Sequence, residues 1–124
     1  MAGKVMRRAL AALVLACAAA ATALAAAPVV PVPGMVTLVD LGAAYCPPCR
    51  AMGPALEQVQ REYKGRAAVV LVDVTKDSAL ATRLGTKVIP TQIFYDKSGR
   101  EVARHIGILD KKALAGQLDK LLAQ

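Results

Sequence analysis

Val39-Asp40-Leu41-Gly42-Ala43-Ala44-Tyr45-Cys46-Pro47-Pro48-Cys49-Arg50 joins two different periodicities. Upstream, Val36–Leu41 is a short, nearly continuous apolar run, the pattern of a strand covered on both faces. Downstream, Met52, Leu56, Val59 and Tyr63 recur at helical spacing through residues 48–64, with Lys64-Gly65 as the stop signal. Cys46 and Cys49 therefore fall where the strand has ended and the first long helix begins. A thiol at a helix N-terminus faces unpaired N–H groups and the positive end of the helix dipole, and both favour thiolate over thiol. This placement predicts that Cys46 is the attacking and more exposed sulfur. Cys49, one turn further in and shielded by its own helix, is the resolving one.

The pattern continues on both sides of this junction. Ala67–Val74 reads as a second buried strand, and Asp77 caps a short helix carrying Leu80 and Leu84. Ile89–Tyr95 and Glu101–Ile106 read as strands joined through Asp96–Arg100, where Gly99 supplies the turn. Asp110 opens a last helix with Leu114, Leu118, Leu121 and Leu122 on its apolar face, and Leu109 is placed to staple onto Leu114. The order β-α-β-α-β-β-α predicts an α/β domain, a mixed four-stranded sheet with helices on both faces. Pro54 should kink the first long helix. With one Phe, three Tyr and no Trp, the core is expected to rest on Val, Leu, Ile and Ala.

Other uses of the cysteine pair meet obstacles in the sequence. A structural zinc site needs four ligands, and beyond the N-terminal stretch there are two Cys and one His. A c-type haem site needs His directly after the second Cys, where Arg50 stands. A purely structural disulfide would close too small a loop to gain much chain entropy. A module that binds or delivers soft Cu(I) is the main rival from another class, but it has no evident third ligand. A redox-inert adaptor would have no use for both cysteines. His105, the sole histidine, reads as a structural or exposed strand residue. Asp40 reads either as a buried acid or as a strand-end residue facing solvent.

These residues resemble the thioredoxin family over about positions 36–123. The acid six residues before the first Cys, the aromatic Tyr45, the Cys-x-x-Cys pair and the basic Arg50 are similar to the family's active-site stretch. Pro54 matches its helix proline, Ile89-Pro90-Thr91 its cis-proline loop, and Gly107 a glycine after the last strand. The resemblance implies a protein thiol–disulfide oxidoreductase with no bound cofactor and no metal. Cys46 and Cys49 would be its catalytic pair and Asp40 a buried proton acceptor for Cys49, with substrate contacts at Tyr45, Ile89, Pro90 and Gly107. Its partners would be protein thiols and disulfides, together with a redox partner protein that could sit in a membrane, and the domain would act as a monomer. Three positions depart from the family pattern. Pro47 replaces a Gly, Gly42 stands where Trp is common, and Leu71 takes the place of the lysine beside the buried acid. Too few residues precede Val36 for the family's usual first strand and helix.

The N-terminus bears on compartment. Residues 1–27 contain 13 alanines, a basic start at Lys4, Arg7 and Arg8, and the apolar run Ala9–Ala21. They read as an export signal or N-terminal anchor. Ala23-Leu24-Ala25 fits a signal-peptidase site, and Val14-Leu15-Ala16-Cys17 resembles a lipobox that would lipidate Cys17. Retention as a membrane anchor is the third fate. Every one of them places the domain outside the cytoplasm, in the bacterial periplasm or cell envelope. Residues 28–35, with three prolines, read as a linker or edge strand, and 36–124 as the domain. The formal charge of +7 draws on the three basic residues of the leader, and the remaining basic residues are scattered. That argues against nucleic acid as a partner.

Overall fold

The computed structural model describes residues 28–124, so the leader and Cys17 lie outside the described residues. Strand β1 spans Val36–Gly42, and all seven of its residues are buried. It pairs in parallel with β2 (Ala67–Asp73), from Val36 opposite Ala67 to Gly42 opposite Asp73. On its other side it pairs antiparallel with β3 (Thr91–Tyr95), from Thr37 opposite Tyr95 to Leu41 opposite Thr91. Strand β4 (Glu101–Ile106) adds antiparallel to β3, giving the sheet order β2-β1-β3-β4. This is the mixed four-stranded sheet expected from the order of elements.

Period-2 alternation along β1 divides the core into two layers. Val36 and Leu38 face helix α1 (Pro47–Glu62) and helix α3 (Lys111–Leu122), meeting Met52, Leu56, Val59, Phe94, Leu114 and Leu118. Val39 and Leu41 face the opposite way, toward Leu80 and Ala81 of helix α2 (Ser78–Arg83), with Val72, Ile93 and Tyr95 in the same layer. A strand hydrogen-bonded along both edges and covered on both faces has no polar side to present, which is why β1 reads as an apolar run. Phe94, Tyr63 and Tyr95 are all buried, so most of the few aromatics lie in the core alongside the aliphatic residues expected there.

The helix ends follow the capping residues. Asp77 accepts from the N–H of Leu80 at 3.0 Å and Asp110 from that of Ala113 at 2.8 Å, satisfying otherwise orphaned donors. Helix α1 continues through Pro54 to Glu62. Beyond its end, the Tyr63 hydroxyl donates to Asp119 at 2.7 Å, fastening α1 to α3. Burial, together with the Asp119 carboxylate, pushes the Tyr63 pKa up to about 12.

Two expectations are corrected. Strand β3 begins at Thr91 rather than Ile89, because Pro90 has no N–H to give the ladder and its peptide bond is cis. Residues 28–35 form no strand and do not trail as a free linker. The Val32 N–H donates to Thr37 Oγ1 at 3.1 Å, and Val30 is buried in the α2-side layer.

Leu118 is fully buried where α3 meets the sheet. Leu118→Ala is expected to destabilise the domain by about 2–5 kcal/mol, through lost burial and the cavity left behind. Urea unfolding should show a lower midpoint with an unchanged m-value.

Candidate active site

The chain leaves β1 at Gly42, turns through a Cys46 N–H to Ala43 carbonyl bond of 3.1 Å, and enters α1. Cys46 is the N-cap, in extended conformation with φ −90° and ψ 107°. Pro47 and Pro48 occupy the first helical positions, where a missing N–H costs nothing and a fixed φ helps. The Cys46 sulfur accepts the N–H of Cys49 at 3.3 Å, so a helix-terminal donor is aimed at it. The two cysteines form a disulfide across a Cα–Cα distance of 5.3 Å.

Exposure of the two cysteine residues is the reverse of the sequence expectation. Cys46 is 6% exposed, whereas Cys49 is half-buried. Gly42 lies against Cys49 with no side chain to cover it, and Gly53 lines the same side. Together with Asp40, Cys49, Arg50 and Leu71, these glycines line a cleft of about 290 Å³ that opens beside Cys49. A Cβ at Gly42 would stand 3.2 Å from the Cys49 Cβ, so the close approach of strand and helix here tolerates little more than hydrogen.

Asp40 lies beneath this cleft, 6% exposed. The same Cβ at Gly42 would stand 3.4 Å from Cys49 Sγ and 3.7 Å from Asp40 Oδ2, so sulfur and carboxyl face one small space. Burial raises the Asp40 pKa above the ordinary carboxylate value, and a hydrogen bond from Gln92 offsets this in part. Leu71 sits opposite Asp40 on β2 and is 47% exposed, leaving no cation at that position. Of the two readings of Asp40, the buried acid is the correct one.

Gln92 was not singled out by sequence reasoning. It is fully buried, directly opposite Asp40 in the β1–β3 register, and its Nε2 donates to Asp40 Oδ1 at 2.9 Å. The available signal was a lone amide in the strand Thr-Gln-Ile-Phe-Tyr, two residues from Phe94 and so on the same face.

The remaining predicted residues gather at the same end of the sheet. Leu41 pairs with Thr91, so Pro90 stands at the level where β1 gives way to the cysteine loop. The Ile89–Pro90 bond is cis, and Gly107 joins this loop by donating its N–H to the Pro90 carbonyl at 2.9 Å. Pro90 is buried and Ile89 half-buried. Tyr45, at 70% exposed, lies at the surface beside Cys46. His105 is half-buried on β4, in register with Gln92. Among the described residues, no cluster of three or more His, Cys, Asp or Glu could hold a metal ion.

A helix-capping dithiol pair at the end of a central strand, with a cis-proline loop alongside, defines an enzyme of thiol–disulfide exchange. The thioredoxin family model matches residues 29–120. Thioredoxin from Staphylococcus aureus is 37% identical over 87 residues, covering 70% of this chain and 83% of that protein. Thioredoxin C-2 of Corynebacterium nephridii is 36% identical over 83 residues, covering 67% and 76%. The crystal structure of chloroplastic thioredoxin z superposes with a TM-score of 0.66 at 28% identity, over 73% of this chain and 81% of that one. The chain belongs to the thioredoxin family, and its Cys46–Cys49 pair makes it a disulfide oxidoreductase.

Burial of Asp40 makes stability depend on pH. A carboxyl whose folded-state pKa lies above its unfolded value binds protons more readily when folded, so its contribution is complete below the unfolded value and is lost as pH rises through the folded one. Asp40→Asn, which keeps an acceptor for Gln92, is therefore expected to be more resistant to urea than the wild type at pH 8. The advantage should vanish below the ordinary value of 3.8. A less stable variant at pH 8 would show that the ionised carboxylate is held favourably.

Proposed function

We propose that this domain is an exported protein-disulfide oxidoreductase that works through its Cys-Pro-Pro-Cys pair and runs more readily as a reductant than as an oxidant. The observation that carries this reading is the Cys46 sulfur at the N-cap of α1, accepting the Cys49 N–H beside a cleft that holds Asp40. The same N–H and helix terminus would stabilise a Cys46 thiolate once the disulfide is reduced. That thiolate attacks a substrate disulfide, forming a mixed disulfide and releasing one substrate thiolate. Asp40 takes the proton of Cys49, whose sulfur then attacks Cys46 Sγ. The Cys46–Cys49 bond forms, and the second substrate thiolate departs with the electron pair of the mixed disulfide. Substrate meets an apolar rim at Tyr45, Val88, Ile106 and Ile108, all more than half exposed. Ile89 and Pro90 belong to no strand and lie at the edge where an extended substrate segment would pair.

The reducing direction follows from charge. A strong oxidant needs its reduced form stabilised by a very acidic attacking thiol. Here no cation faces Asp40 from Leu71, and an ionised Asp40 disfavours further negative charge on the pair. Electrons would come from a partner protein, a membrane-embedded donor being the natural source for an exported reductant. Export rests on the basic and apolar leader, with cleavage after Ala25 as the main route, and lipidated Cys17 or an uncleaved anchor as the others.

Reduced domain is expected to cleave insulin disulfides, and Cys46→Ser to return the rate to background. Cys49→Ser should accumulate the mixed disulfide on Cys46. Iodoacetamide at mildly acidic pH should label Cys46 before Cys49, and the opposite order would overturn the assignment of roles. Equilibration with glutathione is expected to give a potential near about −270 mV, and a value near about −120 mV would mark an oxidant instead. Mass spectrometry of protein recovered from the native envelope should find an N-terminus at Ala26, whereas full-length protein in the cytosol would refute export.

A further inference from the structure

The geometry points to Gln92 as the positioning residue for Asp40, an amide that serves the carboxyl in both protonation states by turning over. This rests on the reading of Asp40 as proton acceptor for Cys49. With Asp40 ionised, Gln92 Nε2 donates to Oδ1 at 2.9 Å, leaving Oδ2 directed at the space shared with Cys49 Sγ. The other end of the amide is the informative one. Gln92 Oε1 is buried and has no hydrogen-bond partner among the described residues, and the residue is fully sealed from solvent. A buried, unsatisfied carbonyl is costly, and a leucine would fill such a place at no such cost.

An amide is nearly symmetric in shape, so rotating it by half a turn exchanges Nε2 and Oε1 without repacking. In the turned state Oε1 faces Asp40 and can accept a hydrogen bond from the protonated carboxyl. The far side is unpaired in both states, an orphaned Oε1 in one and orphaned Nε2 donors in the other, so it fixes neither orientation. The one further contact, Nε2 to the Met52 sulfur at 3.4 Å, is weak. A lysine could favour only the carboxylate, because it has donors and no acceptor. Gln92 favours each form in turn. Asp40 can then take the proton from Cys49 and later release it through the cleft without a buried charge being left unpaired in either state. Gln92 from β3 bonds this carboxyl, Cys49 from α1 shares its small space, and Arg50 from α1 with Leu71 and Asp73 from β2 line the same cleft. His105 is opposite Gln92 in register on β4, and the Gln92 Nε2 donates to Asp40 and Met52 rather than to its side chain.

The test follows the side-chain signals by NMR in the intact oxidised domain, so it needs no turnover. In the wild type, the Gln92 side-chain amide resonances are expected to shift with the same midpoint as the Asp40 carboxyl carbon. The bond to the carboxylate is charge-assisted and the turned one is neutral, so Gln92→Met, close in length and unable to donate, should still raise the Asp40 midpoint, by about one pH unit. It should also move the acid limb of the resolving step upward by the same amount, with the rate recovering at higher pH. A merely structural residue would lower the unfolding midpoint and leave both titrations in place. Gln92 resonances that stay fixed or follow His105, or an Asp40 midpoint unchanged in a folded Gln92→Met domain, would overturn the proposal. Failure of the functional reading would show separately, as a wild-type domain that cannot reduce insulin while Gln92 still tracks Asp40.

Discussion

The site depends on one constraint: β1 ends where α1 begins, with only four residues between Gly42 and the first helical residue Pro47. That short passage places a helix N-terminus at the end of a strand that is hydrogen-bonded on both edges and covered on both faces. The sulfur of Cys46 cannot move far from the helix end, because it is itself the cap that satisfies the Cys49 N–H. The rigidity needed for thiol chemistry is thus supplied by the sheet, while the electrostatic bias is supplied by the helix. Loosening either would relax the other, since Leu38 of β1 and Met52 and Leu56 of α1 belong to the same core layer.

The same burial makes Asp40 possible and sets its character. A carboxyl at an even position of β1 shares the face of Leu38 and is drawn into the α1-side layer, where desolvation dominates its titration. A cation at position 71 would form a buried or half-buried pair whose attraction must offset the desolvation of two charges. Leu71 avoids that second cost and leaves the carboxyl with a neutral partner. The exposure of Leu71 and the bare backbone at Gly42 and Gly53 then keep a path open to solvent, which a proton acceptor requires. Small residues on one side of Cys49 and an amide beneath it are parts of one arrangement.

Much of this was legible because local signals agreed with the global fold. The capping aspartates, the turn at Gly99 and the strand bounds of β4 follow from residue types with marked backbone preferences, whereas the cis bond before Pro90 was implied only by the family resemblance. What was not legible depended on cross-strand register. Gln92 could be recognised as Asp40's partner only once β1 and β3 were known to lie antiparallel with positions 40 and 92 opposed. The relative exposure of the two cysteines failed for a related reason. The helix position of Cys49 argued for shielding, but what covers a residue comes from its neighbours, and Gly42, packed against Cys49, has no side chain to provide cover. Segment 28–35 was misread because its prolines report backbone conformation and say nothing of the pocket into which Val30 fits.

These features bear on direction as well as architecture. In a dithiol pair the more stable the reduced form, the more oxidising the protein, so whatever opposes negative charge near Cys46 and Cys49 favours the disulfide and makes the domain a better reductant. The helix end and the Cys49 N–H act on Cys46 alone and pull toward the thiolate. Asp40 acts on the pair, and its weight depends on how much of the time it is ionised. Burial raises its pKa, which mutes the repulsion, and the Gln92 hydrogen bond restores part of it by favouring the carboxylate. On the reading proposed above, two hydrogen bonds act on the potential with opposite effect, Cys49 N–H to Cys46 Sγ and Gln92 Nε2 to Asp40 Oδ1. The first takes its donor from the helix backbone and persists for as long as the Cys46 sulfur caps the helix. The second can be changed at one position, and on that reading a substitution at residue 92 moves the potential while leaving both cysteines in place.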